Sequence, residues 1–177
     1  GRRFSDRRHQ ALQLAAAADA SESLAGALDD GIVRRQAVGQ VQATAADIPG
    51  IWEVRYSVTE NTLTPGRISD EEVRESIEDT GCGWVIEEAG RIEAFAVGIA
   101  KTGNVWALFV RPDAQGRGHG TRLHAAMIEW FRKQPIDRLW LSTGTTTKAR
   151  AFYDKNGWEC VGPYGSDEVR YERANAA

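Results

Sequence analysis

Cysteine is nearly absent: Cys82 and Cys160 are the only two in 177 residues. They lack a C-x-x-C spacing, which argues against a zinc site or a disulfide framework. Two free thiols fit a reducing, cytoplasmic setting. No apolar run approaches the roughly 20 residues of a membrane span. The first residues, Gly1-Arg2-Arg3-Phe4-Ser5, carry neither an initiator Met nor the apolar stretch of a signal peptide. A net charge of −3 leaves no basic surplus, and no recognition motif for nucleic acid is present. What remains is a soluble composition, 42% hydrophobic and 27% charged, in a chain long enough for one domain with a real core.

Residues 1–36 differ from the rest. They are rich in Ala, Asp and Arg and hold few large apolar residues, so they read as an extension outside the core. Leu12, Leu14, Leu24 and Leu28 leave open a helical alternative that packs on a partner subunit. Residues 37–177 read as one domain.

Within it, Val38 and Val41 mark a first strand. Asp47 and Pro49 open a helix with Ile48, Ile51, Trp52 and Tyr56 at helical spacing. Ser69 with Glu72 forms a capping box that opens a second helix. Two strands, 84–87 and 92–100, flank the hairpin signal Glu88-Ala89-Gly90-Arg91. Residues 104–110 are almost wholly apolar, as in a strand buried on both faces. A glycine-rich turn follows, then a helix with Leu123, Met127, Trp130 and Phe131 on one face. Residues 139–143 make another buried strand. A short helix holds Ala149, Phe152 and Tyr153, with Gly157 near its end. Residues 169–172 read as a last edge strand. The expectation is a mixed α/β domain in the order β-α-α-β-β-β-α-β-α-β.

The glycine turn carries the chemistry. Gln115-Gly116-Arg117-Gly118-His119-Gly120 lies between a buried strand and a helix. Backbone N–H groups in such a turn converge into an anion-binding nest, and the helix that follows adds its dipole and unpaired first-turn donors. Arg117, His119 and Arg122 supply charge nearby. A nucleotide P-loop would need Gly-Lys-Ser/Thr, but Gly120 is followed by Thr121. The dinucleotide fingerprint needs G-x-G-x-x-G, but the spacing here is G-x-G-x-G. A tight turn with no ligand is the plainer alternative on these residues alone.

With its flanks, the turn resembles that of the GNAT superfamily of N-acetyltransferases. Gln115, Gly118 and Gly120 match the family's Arg/Gln-x-x-Gly-x-Gly/Ala motif. Phe109-Val110-Arg111-Pro112 is similar to the strand end that precedes it. Residues 149–158 are similar to the downstream A-x-x-x-Y-x-x-x-G-[FW] segment. The resemblance spans about 40–172. One departure is Thr146, where many members carry Asn seven residues before the Tyr.

The resemblance implies a GNAT-like fold and acetyl-coenzyme A as co-substrate, with no metal. The pyrophosphate would sit on backbone amides from Gln115 through Gly116, Arg117, Gly118, His119 and Gly120 to Thr121. The pantetheine arm would run beside Leu108, Phe109 and Val110. Tyr153 matches the position that protonates the leaving thiolate, and the Leu108 amide is the candidate oxyanion donor. An amine of pKa about 10.4 is only roughly 0.04% neutral at pH 7, so a base or desolvation must assist. Glu60 is the first candidate base, with Glu53, Asp79 and a relayed water as alternatives.

The acceptor is expected opposite the cofactor, near Trp52, Tyr56, Trp84, Trp106 and Trp140. Acidic residues on the second helix would favour a cationic small molecule: a polyamine or an aminoglycoside-like antibiotic, the latter a resistance activity. A protein or peptide N-acetyltransferase is the runner-up, and a non-catalytic acyl-coenzyme A sensor the third reading. A homodimer is expected by analogy with the family, with neither a nucleic-acid nor a membrane partner.

Overall fold

The structure is a computed structural model that describes residues 39–60 and 63–176. The 1–36 extension and its alternative helix therefore lie outside the described residues.

Thr44 and Asp47 form a capping box, and Pro49 sits in the first turn of helix α1, Ile48–Ser57. The predicted Ser69–Glu72 box opens α2, Asp70–Arg74: the Ser69 hydroxyl accepts from the Glu72 amide at 3.2 Å, and the Ser69 amide donates back to the Glu72 carboxylate at 2.9 Å. This helix runs on into a wider turn over Glu75–Asp79. Ser69→Ala is expected to cost about 1 kcal/mol of stability, read as a lower urea midpoint with an unchanged m-value.

Strand β1 is Gly39–Gln42, β2 is Gly81–Glu88 and β3 is Arg91–Ile99. Between β2 and β3 lie only Ala89 and Gly90, both at positive φ (51° and 77°), the two-residue turn whose twist suits a hairpin. Strand β4 is Asn104–Val110, helix α3 is His119–Phe131, β5 is Arg138–Gly144 and α4 is Ala149–Lys155. Two more strands close the fold, β6 (Glu159–Tyr164) and β7 (Glu168–Ala174).

The seven strands form one sheet in the order β1-β2-β3-β4-β5-β7-β6. The mixed α/β expectation holds, with one correction at the C-terminus. β6 was not foreseen, and β7, expected at the edge, is interior between β5 and β6. Gly162 and Pro163 break the strand pattern of β6, which suits an edge position. The register shift between Cys160 and Gly162 adds a bulge.

Each face of the sheet has its own core. On one face, α3 and α4 cover Trp84, Ala96, Leu108 and Leu141 with Leu123, Phe131 and Phe152. On the other, α1 and α2 cover Val85, Phe95 and Phe109 with Ile51, Val54 and Val73. The side-chain alternation along β4 breaks once. Ala107 pairs with Val97 while Val105 pairs with Gly98, so Trp106 is the extra residue of a bulge. Trp106 and Ala107 consequently face the same core.

All strand pairs are antiparallel except β4 with β5. These two parallel strands pair only at Asn104 and Trp140, where the Asn104 side chain donates to the Trp140 carbonyl at 3.3 Å. Beyond that rung their C-terminal ends part, leaving a split in the middle of the sheet.

Candidate active site

The split places several sequence-predicted residues around one opening. The C-terminal ends of parallel strands, where they separate, are where open α/β sheets bind ligands. Leu108, Phe109 and Val110 form one wall of the split. The glycine turn follows β4 after a short helical turn over Pro112–Ala114. Gly116 and Gly118 adopt φ of 77° and 84°, and Gly118 is the residue on which α3 starts. Gly120 lies within the helix and is buried, so there the missing side chain matters for close packing rather than for backbone angle. Gly118→Ala is expected to cost about 1–2 kcal/mol for the left-handed conformation and to weaken coenzyme A binding. Chemical denaturation and calorimetric titration check the two effects separately.

Charges frame the turn. The Arg117 guanidinium pairs with Glu88 at 3.2 Å, and Arg91 bridges Asp113 at 3.0 Å and Glu93 at 2.8 Å. His119 is buried, with neither ring nitrogen hydrogen-bonded among the described residues. Burial, assisted by Arg122, lowers its pKa below the ordinary histidine range. The positive charges beside the turn at neutral pH are therefore those of Arg117 and Arg122. The imidazole contributes no charge.

Tyr153 lies on α4 and is 4% exposed, with its ring among Phe152, Trp158 and Tyr171. Burial pushes its hydroxyl above the ordinary tyrosine range, so it keeps its proton at neutral pH. Its neighbour His124 is also buried, and accepts a hydrogen bond from the Trp158 indole at 3.0 Å.

The opposite face of the sheet, near the end of β5, carries a polar cavity of about 520 Å³. Glu60 and Arg67 line it from the α1–α2 connection, residues 144–147 from the β5–α4 loop, and Tyr164, Asp167 and Glu168 from the β6–β7 hairpin. Thr146, the departure from the motif, is therefore a cavity residue. Glu60 reaches the cavity and stands 3.9 Å from the Lys148 ammonium. The two alternative bases are engaged elsewhere, Glu53 with Arg111 at 2.7 Å and Asp79 with Arg74 at 3.0 Å.

None of the five aromatic residues expected to line the acceptor side borders this cavity. Trp84 is buried edge-on against Trp130. Trp106 is buried in the core under α1 and α2. Trp140 lies beneath the Arg170 guanidinium at 4.4 Å and donates its indole N–H to the Thr102 carbonyl. Trp52 stacks on Tyr56, with its N–H on Asp70. The physical reason is ordinary: large rings bury the most apolar surface when packed against other side chains.

Sequence reading missed Glu168. It is half-buried, and its carboxylate accepts a hydrogen bond from the Ser142 hydroxyl at 2.9 Å. Desolvation, aided by Asp167, raises its pKa above the usual carboxylate range, although the Ser142 bond opposes the rise. Nothing in the local pattern distinguishes Glu168 from the other acidic residues of a strand. Among the described residues, no group of three or more His, Cys, Asp or Glu side chains is placed to hold a metal ion. No helix among them is long and apolar enough to cross a membrane.

Residues 45–158 match the family model described as "Acetyltransferase (GNAT) family". A curated relative, the mycothiol acetyltransferase of Beutenbergia cavernae, is 38% identical over 63 residues, or 35% of this chain; the match covers about a fifth (21%) of that relative's length. Among solved structures, the ribosomal-protein-S18-alanine N-acetyltransferase of Escherichia coli superposes with a TM-score of 0.64 at 16% identity, covering 78% of this chain and 94% of its own. The PaiA N-acetyltransferase of Thermoplasma acidophilum, solved in complex with coenzyme A, gives 0.66 at 14% identity, covering 78% and 99%. At these identities the two structures establish the fold.

Proposed function

This chain belongs to the GNAT acetyltransferase family, and from that premise we propose that it transfers the acetyl group of acetyl-coenzyme A to a primary amine of a small cationic molecule. The observation that carries the reading is the split between β4 and β5, which has a glycine turn and helix N-terminus at its mouth. The pyrophosphate would lie on the amides of Gln115 to Thr121, where nest and helix dipole act together. The pantetheine arm would fill the split and use the backbone of Leu108 and Val110 that β5 leaves unpaired.

The two faces of the split divide the chemistry. Tyr153, protonated and buried, approaches from the α3–α4 face, where it would meet the departing thiolate. The Leu108 amide would hold the oxyanion. On the other face the cavity offers the acceptor three carboxylates, Glu60, Asp167 and Glu168, against one guanidinium, Arg67. That imbalance favours a cationic acceptor over an anionic one. Threonine and serine hydroxyls around the same cavity suit a polyhydroxylated or polyamine partner better than an apolar peptide.

Thiol release from acetyl-coenzyme A, measured against spermidine, an aminoglycoside and a peptide with a free N-terminus, tests this. Release is expected with the first two. Release with the peptide alone would transfer the assignment to a protein N-acetyltransferase. Tight coenzyme A binding with no release to any acceptor would make the chain a sensor.

A further inference from the structure

An acceptor amine reaches the site as an ammonium, and something must remove a proton before it can attack. We propose that Glu168, held in place by Ser142, receives the acceptor's reacting ammonium and is the base that takes its proton. The inference rests on the transferase reading above and identifies the residue that reading leaves unassigned.

Glu168 pairs with Gly144, the last residue of β5, and β5 is the strand that parts from β4. A side chain there is one strand beyond the split, across β5, and lines the cavity together with the C-terminal end of that strand. Its direction follows from alternation: Leu139 and Leu141 face the α3–α4 core, so Ser142 between Leu141 and Thr143 faces the other way, towards the cavity side. The Ser142–Glu168 hydrogen bond shows that the carboxylate lies on that same side. Tyr153 belongs to the opposite core. A proton acceptor and a proton donor thus lie on the two faces of the sheet.

The other carboxylates of the cavity are less suited. Glu60 is shared with the Lys148 ammonium and comes from the α1–α2 connection. Asp167 is exposed in the β6–β7 turn, where the Ser166 hydroxyl donates to it at 2.9 Å. Only Glu168 is anchored to a buried side chain, since Ser142 is 2% exposed. The charged and titratable groups around it are Asp167, Tyr164 and Arg170 from its own hairpin, Glu60 and Arg67 from the α1–α2 connection, and Lys148 beyond Glu60. Burial raises its pKa, and a carboxylate of higher pKa is a better match to an amine.

The step balances without any further reactant. The ammonium gives one proton to the Glu168 carboxylate and becomes a neutral amine. Its lone pair forms the C–N bond at the thioester carbonyl, and the oxyanion then collapses with loss of the C–S bond. Tyr153 protonates the sulfur, and the remaining excess proton on nitrogen returns to Tyr153. Glu168 finally releases its proton to water.

The test compares Glu168→Gln, Asp167→Asn and Ser142→Ala in the full chain. It uses spermidine as the acceptor probe and coenzyme A titration as an independent measure of cofactor binding. Glu168→Gln is expected to lower kcat/KM by about 10²-fold and to flatten the acid limb of the pH profile. Asp167→Asn should retain that limb but move it to lower pH, because the neighbouring charge that raises the Glu168 pKa is gone. Ser142→Ala should move it to higher pH, because the hydrogen bond that favours the carboxylate is gone. Coenzyme A affinity should not change in any of the three. An unaltered acid limb in Glu168→Gln, or equal losses in Glu168→Gln and Asp167→Asn, would overturn the proposal.

A second readout needs no turnover. In protein labelled with ¹³C at the glutamate carboxyls, spermidine added to the coenzyme A complex should shift a signal that Glu168→Gln removes. A failure of the transferase reading would show as no thiol release in the wild type. A failure of the present inference would show as no spermidine-dependent shift at Glu168.

Discussion

Replacing Tyr153 with Phe is expected to lower kcat by about 10³-fold while coenzyme A binding is unchanged. That factor corresponds to about 4 kcal/mol of transition-state stabilisation. Phe keeps the ring and its contacts with Phe152, Trp158 and Tyr171, so only the hydroxyl is removed. A hydroxyl this buried stays protonated well above neutral pH, ready for a thiolate that forms beside it. The uncatalysed departure of a thiolate into an apolar pocket would instead leave a charge without solvent. Thiol release at saturating acetyl-coenzyme A, with binding measured by calorimetry, separates the two effects. A variant that turns over like the wild type across the pH range would take Tyr153 out of the mechanism.

Acid is expected to destabilise the domain through one buried imidazole. Burial lowers the pKa of His124 to about 4, with Arg173 adding repulsion. Its ordinary value is 6.5, so between pH 6.5 and 4 the unfolded chain binds a proton that the folded chain refuses. Stability from this group is complete above pH 6.5 and is lost as the pH falls, by about 3 kcal/mol. The neutral ring accepts from the Trp158 indole through Nε2, and protonation would turn that acceptor into a donor. Urea denaturation at pH 7 and pH 5 should show a fall in wild type that is much smaller in His124→Gln. Parallel losses in the two proteins would place the acid sensitivity elsewhere. Because His124 packs on Phe152, beside Tyr153, the same titration should loosen helix α4, which carries both rings.

These two residues were unequally legible. Tyr153 was recognisable because its segment, from Ala149 to Trp158, is a contiguous motif. His124 looked like any polar residue on a helix. Only the packing of α3 against Trp158, 34 positions away, makes it a buried acceptor. The tryptophans show the same contrast. Their number suggested an aromatic pocket, but the burial of each ring was set by its place in the packing, the bulge at Trp106 included, and Trp84 and Trp106 became core.

The sequence alone determined the elements whose cause is local. The hairpin at Ala89-Gly90, the capping box at Ser69 and the glycine turn leading into α3 each depend on a few adjacent residues, and their backbone preferences survive any tertiary context. Tertiary structure decided what depends on partners far along the chain. β4 and β5 both read as buried strands, but nothing in either says that they pair at one rung and then part. β6 has too short and broken a pattern to announce itself, so the insertion of β7 beside β5 was invisible. That insertion places Glu168 against Ser142 and in the wall of the cavity. Strand pairing is a non-local choice, made by which surfaces can be buried together, and the split between β4 and β5 is a product of that choice.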